Sequence, residues 1–159
     1  MAQEDSNLRR GIGRRLALGL LALNAAQIGL WAALAPANWF RTFPGFGQAW
    51  AAVDGPFNEH LTRDVGNLFL ALTVVTVIAA FRPERLMVRT AAAAWLVMSV
   101  PHFAYHASHT DLLPTSSAVM SLAGLALGVG VPLWLLISPE PKSAAATATP
   151  TAEAGSSNA

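Results

Sequence analysis

The sequence contains no cysteine. That one absence excludes disulfide staples, thiolate metal ligands and thiol nucleophiles together. Charge is scarce as well. Only 12% of the 159 residues are Asp, Glu, Lys or Arg, against roughly a quarter in typical soluble domains. A soluble chain this small exposes much of its surface to water and needs charge there; a surface facing lipid does not. The formal net charge is +1, and no basic stretch carries interleaved aromatics. Nucleic acid is therefore not expected as a partner.

What fills the chain is apolar, 53% of it, gathered in four long runs. A helix needs about 20 mostly apolar residues to cross the hydrocarbon core of a bilayer. The first run covers 16–35, holds only Asn24 and Gln27 as strongly polar groups, and ends at Pro36. The second covers 65–81 and extends back as a polar helix to about Asn58. The third begins near Pro83 and reaches about His109, with its embedded part at 86–106. Pro83 suits a first helical turn, where its missing N–H costs nothing. The fourth covers 118–137, with Pro139 just beyond. These runs predict an all-α, integral membrane four-helix bundle over residues 16–138. The first run exceeds the about 7–15 residues of a signal-peptide core, so it reads as a span rather than a cleaved leader.

Orientation follows from the basic residues beside the spans. Arg9, Arg10, Arg14 and Arg15 precede the first; Arg82, Arg85 and Arg89 lie around the second connection; Lys142 follows the fourth. Only Arg41 and Arg63 fall on the other side. The pattern predicts a plasma-membrane protein with both termini cytoplasmic (N-in, C-in) and with loops 36–57 and 110–117 outside. Residues 1–15 form a basic cytoplasmic N-terminus whose first few positions are expected to be disordered. Residues 139–159, rich in Ala, Ser, Thr and Pro, predict a disordered cytoplasmic tail.

The outer loop 36–57 is too aromatic for a solvated linker. Trp39, Phe40, Phe43, Phe46, Trp50 and Phe57 suit the headgroup layer, and the loop reads as a lid over the bundle or as the wall of a pocket. Pro44-Gly45 and Gly47 mark a turn, and 47–53 is a candidate short interfacial helix.

Chemistry-bearing residues concentrate at two helix ends. Glu59, Arg63 and Asn67 recur at i, i+4, i+8 at the start of the second helix, and His60 and Asp64 at i, i+4 beside them. Together they span about 140° of one helix face. At the end of the third helix, His102, His106 and His109 recur at i, i+4, i+7, within about 60°. The short inner connection makes these helices antiparallel neighbours, so both polar ends lie at one depth near the outer boundary. If they face each other they form a His/carboxylate site. Pro101 removes the hydrogen bond to Val97 and is expected to kink the helix just below the histidines. The plain alternatives are histidines favoured by a helix C-terminus, Glu59 favoured by an N-terminus, and a structural polar network.

As a metal site, the expected ligands are His102 and His106 with one of His60, Glu59, His109 or Asp64. Nitrogen and oxygen donors without sulfur suit a divalent metal such as zinc, iron or copper. Glu59, Asp64 and Arg63 are the candidates for catalytic roles: a carboxylate as general base or orienter, and the guanidinium for an anionic substrate group. Glu59 and His60 are adjacent, which disfavours a di-iron Glu-x-x-His arrangement. Haem b is disfavoured too, because every histidine lies at one boundary. In the fourth span, Gly124-x-x-x-Gly128 allows close helix approach, within the bundle, to a second copy, or to a larger membrane complex; Gly19 and Gly29 offer the same in the first span. The functional expectation is an outward-facing metal- or cofactor-binding membrane protein, and the alternative is a non-enzymatic accessory or structural subunit.

The Phe43-Pro44-Gly45 loop, the Asn58-Glu59-His60-x-x-Arg63-Asp64-x-Gly66 helix start and the Pro101-His102-x-x-x-His106 helix end resemble those of a family of uncharacterised four-span actinobacterial membrane proteins. More distantly, the chain resembles the DoxX-like class of small four-helix membrane proteins. The resemblance covers roughly residues 16–137. It implies the topology and picks out the same residues, and it implies no reaction.

Overall fold

Prolines and one asparagine set most of the helix boundaries. A computed structural model describes residues 2–139. Helix α1 (Ala2–Leu34) opens with Glu4 and Asp5 in its first turn, where carboxylates favour the exposed N–H groups. It stops where Pro36 forces the preceding residue out of helical geometry; Ala35 has φ −132° and ψ 59°. Pro36 then serves as the first residue of a short helix α2 (Pro36–Thr42). Asn58 starts α3 (Glu59–Phe81), its side chain accepting from the Leu61 N–H at 3.1 Å. After the Arg82-Pro83-Glu84 turn comes α4 (Arg85–Ser108), and after Pro114 comes α5 (Thr115–Ile137). Single 3₁₀ turns lie at Ala51–Val53 and Thr110–Leu112, and no strand occurs among the described residues.

Helices α1, α3, α4 and α5 are long and apolar enough to cross a membrane. Their outward faces carry large apolar side chains, among them Leu20, Leu68, Val97 and Leu127. Water does not favour so much exposed apolar surface, and a bilayer does. The chain is an all-α, multi-pass integral membrane protein.

Some boundaries differ from the sequence expectation. The basic segment before residue 16 continues α1 back to Ala2 instead of fraying. In the outer loop the helix lies at Pro36–Thr42, because Pro36 pre-sets the first turn; the expected 47–53 helix is reduced to the 3₁₀ turn. As expected, α4 runs through Pro101. Beyond Pro139 the expected tail lies outside the described residues.

The spans run alternately up and down. Arg14 of α1 and Pro83 share one pocket at the basic end, and Gly13 lies 3.9 Å from Trp134 of α5 when given a Cβ. α1 packs chiefly on α3, α3 on α4, and α4 on α5, while α1 and α5 barely touch. The four helices thus form an arc rather than a closed ring. The core along this arc includes Leu18, Leu21, Ala79, Val88, Trp95 and Leu135.

Two contacts set the arc. A Cβ on Gly66 would sit 2.5 Å from the Ala33 nitrogen, and one on Gly29 would sit 3.0 Å from the Gly66 oxygen. α1 and α3 therefore cross backbone to backbone, which only glycine permits there. Between α3 and α4, the buried Trp95 indole donates to Thr76 Oγ1 at 2.9 Å, and Thr76 donates to the Leu72 carbonyl at 2.7 Å.

Candidate functional site: a cleft under the aromatic loop

Where α1 and α5 part, a cleft of about 340 Å³ enters the arc. Its deep wall is Trp95, Met98 and Ser99 of α4, and Val65 and Phe69 of α3 form one side. Asn24 and Ile28 of α1 and Ser121, Gly124 and Gly128 of α5 flank the opening. Gly124 would meet nothing within 4 Å if it carried a Cβ, and Gly128 would only just touch Ser99. The glycine stripe expected to pack a helix thus contributes space here. Of the four glycines expected to pack, Gly29 makes a close approach, whereas Gly19 meets nothing within 4 Å.

The outer loop roofs the cleft. Trp39 and Phe43 pack at 5.1 Å between ring centroids, and Trp50 meets Phe43 edge-on at 6.4 Å. The Trp50 N–H donates to the Phe43 carbonyl at 2.7 Å, closing the loop on itself. Gln48 ties it to α5 by accepting from Ser117 Oγ at 2.7 Å. Trp31 donates to Asn38 Oδ1 at 2.7 Å, which fixes α2 to α1.

Polar groups converge at the roof end. His102 and His106 both line the cleft, one helical turn apart, their rings edge-to-face with centroids 4.8 Å apart. Asp54, just after the 3₁₀ turn, lines the same space. Two further polar atoms, Ser99 Oγ of the wall and Trp39 Nε1 of the roof, are buried without a hydrogen-bond partner. Ser99 as a residue is only 2% exposed. Buried polar atoms are nearly always paired in folded proteins, so two orphans on one cleft indicate a place where a partner belongs.

The other sequence candidates lie elsewhere. His60 pairs with Asp64, Nε2 to Oδ2 at 3.3 Å, and its side chain is 90% exposed. Arg63 binds Glu59 Oε1 through Nε at 2.9 Å and Nη2 at 2.8 Å, and donates through Nη1 to the Ala33 carbonyl. His109 stacks on Tyr105 at 4.3 Å and its Nδ1 lies 2.9 Å from the Tyr105 carbonyl, capping the end of α4. The two polar helix faces do not meet, and the reason is rotation. Gly66 must face α1. At about 100° per residue, Val65 and Phe69 then turn to the cleft side, while His60 and Asp64 turn about 120–160° the other way.

Among the described residues, no group of three or more His, Cys, Asp or Glu comes together as metal ligands would. From the expected ligand set, His102 and His106 are adjacent; His60, His109, Glu59 and Asp64 have other partners. Trp39 belongs to the aromatic loop that the sequence offers as a lid or pocket wall, whereas Asp54 and Ser99 are not singled out by sequence. Asp54 carried a signal, as an acidic residue in an otherwise aromatic outer loop. Ser99 did not, because a lone serine in a span is ordinary. Comparison with protein-family models, curated proteins and solved structures gives no match for this chain.

Proposed function

We propose that this membrane protein binds a small amphiphilic molecule in the cleft. The apolar body lies against Phe69, Trp39 and Leu125, and the polar head reaches His102, His106 and Asp54. The cleft volume of about 340 Å³ falls at the lower end of the about 300–1,000 Å³ usual for small-molecule pockets. α1 and α5 make few contacts with each other, and the separation of these two helices is the path we assign to such a molecule from the bilayer. One observation carries the reading: Ser99 Oγ and Trp39 Nε1 are buried and unpaired in residues that line the same cleft as the two imidazoles. By the distribution of arginines, this end faces outward from the cytoplasm.

The test is native mass spectrometry of protein released from mild detergent. Wild type is expected to retain a small organic molecule. His102→Ala and Gly124→Phe are each expected to lose it with helix content unchanged by circular dichroism. A wild-type protein that carries nothing, and whose tryptophan fluorescence ignores added fatty acids, long-chain alcohols and quinones, would remove the reading.

The His102/His106 pair supports a second reading, a zinc, iron or copper ion held by two imidazoles at i, i+4 with its remaining ligands from the bound molecule or water. Stoichiometric metal in the purified protein, lost in the His102→Ala, His106→Ala double variant, distinguishes it. A partner helix laid along Gly124 and Gly128 would fill the same cleft. Co-purification of a protein in place of a small molecule would favour the accessory-subunit alternative.

A further inference from the structure

At the opposite end of the bundle a guanidinium is buried without a counter-ion among the described residues. Arg14 of α1 is 3% exposed, and its Nε is enclosed with no hydrogen-bond partner. Neither of the ion pairs found among the described residues includes it. Arginine keeps its charge in any protein setting, so it cannot escape burial by losing a proton. A buried cation without a partner is costly, and the cost is relieved when an anion arrives.

Space for that anion adjoins it. A pocket of about 300 Å³ is lined by Arg14, Arg15, Asn7, Gly11 and Pro83, with Leu8 and Ile12 at its side. Arg15 supplies a second guanidinium and Asn7 an amide donor, while Leu8 and Ile12 are exposed apolar side chains. Arg82 and Arg85 flank Pro83 in the chain, and both are exposed. Asp5 is the nearest carboxylate to Arg14 in sequence and Glu84 follows Pro83, and neither makes an ion pair with Arg14. Planar guanidinium forks match phosphate oxygens, and apolar neighbours beside them match the start of acyl chains.

We infer that Arg14, Arg15 and Asn7 form a site for a phosphate group at the basic end of the bundle, supplied by an anionic phospholipid headgroup or by a free phosphate. The site is independent of the cleft and stands or falls separately from it.

The experiment measures thermal unfolding and lipid retention of the full chain in nanodiscs. One arm exchanges phosphatidylcholine for phosphatidylglycerol; the other adds inorganic phosphate to phosphatidylcholine discs. Wild type is expected to melt higher in phosphatidylglycerol, or with phosphate, and native mass spectrometry is expected to show a retained anionic lipid in the first case. The two arms name the source of the phosphate. Arg14→Gln is expected to weaken binding about tenfold, as loss of a charged hydrogen-bond donor does. Arg14→Lys, which keeps the charge but not the fork, is expected to fall between. Arg10→Gln, an exposed change nearby, is expected to stay within about twofold. No preference for anionic lipid and no response to phosphate in the wild type would overturn the assignment, with no variant needed. Equal losses in Arg10→Gln and Arg14→Gln would also overturn it, by reducing the effect to general surface charge.

Discussion

Arg63 at the start of α3 donates a hydrogen bond to the carbonyl of Ala33 in the last turn of α1. The last carbonyls of a helix have no partner within it, and Ala33 is buried, so water cannot fully serve. Glu59 holds the guanidinium in place from the preceding turn of α3. Arg63 is therefore a clamp between two spans. It lies outside the cleft, although its type and spacing suggested an anion-binding role.

Arg63→Gln is expected to lower stability by about 1–3 kcal/mol, the usual cost of leaving a buried acceptor unmade. Glu59→Gln is expected to cost less, within about 1 kcal/mol, because that pair is half exposed. Neither change is expected to alter what the cleft retains. Thermal unfolding in detergent, followed by mass spectrometry of the bound material, checks both halves. Ligand loss in Arg63→Gln with unchanged stability would return Arg63 to the site.

Gly66→Ala sets a sharper test of the fold. The new methyl would stand 2.5 Å from the Ala33 nitrogen and 2.9 Å from the Gly29 oxygen, both backbone atoms that cannot swing aside. Overpacking of this kind typically costs about 1–3 kcal/mol, and a backbone clash belongs at the upper end. Gly130→Ala meets nothing within 4 Å, so helix propensity alone acts and favours Ala by up to about 1 kcal/mol. The two substitutions are expected to shift the melting temperature in opposite directions. Equal effects would mean that α1 and α3 do not cross at Gly66.

These two positions also show what the sequence could and could not reveal. Span number and helix ends are written in apolar run length and in Pro36, Asn58, Pro83 and Pro114, because local sterics and capping decide them. The depth match between α3's start and α4's end was equally legible, since a short connection forces it. Rotation about each helix axis was not. It is fixed by close approach between residues distant in sequence, here Gly29 and Gly66, and turning α3 to suit them carries His60 and Asp64 away from His102 and His106. Gly124 and Gly128 show the converse. The same small residues that permit helix contact also make room when the neighbouring helix is absent, and composition does not distinguish the two.

Ser99→Ala separates stability from binding. The hydroxyl is buried and unpaired, so its removal deletes an unsatisfied group. The delipidated protein is expected to gain stability, by about 1 kcal/mol. If the hydroxyl meets the head or body of a bound amphiphile, the same variant is expected to lose part of the stabilisation that added ligand gives the wild type. Melting curves with and without ligand check the crossing of signs. A variant that is less stable in both states would show that Ser99 is already paired within the protein.

Thr76→Val tests the joint between the two helix pairs. Thr76 Oγ1 is the acceptor for the Trp95 indole, and both residues are buried. Valine matches threonine in shape, so packing is kept while the acceptor is lost. The indole N–H is then stranded in the core at a cost of about 1–3 kcal/mol. Trp95→Phe removes the donor and the extra ring together, and the double variant is expected to cost less than the sum of the two singles, because the stranded donor is gone. Trp95 also forms the deep wall of the cleft, so Trp95→Phe is expected to change ligand retention, whereas Thr76→Val reaches the cleft only through Trp95 and is expected to change it less. Thermal melts of the four proteins in one detergent give the coupling, and additive losses would mean that the indole and the hydroxyl do not meet.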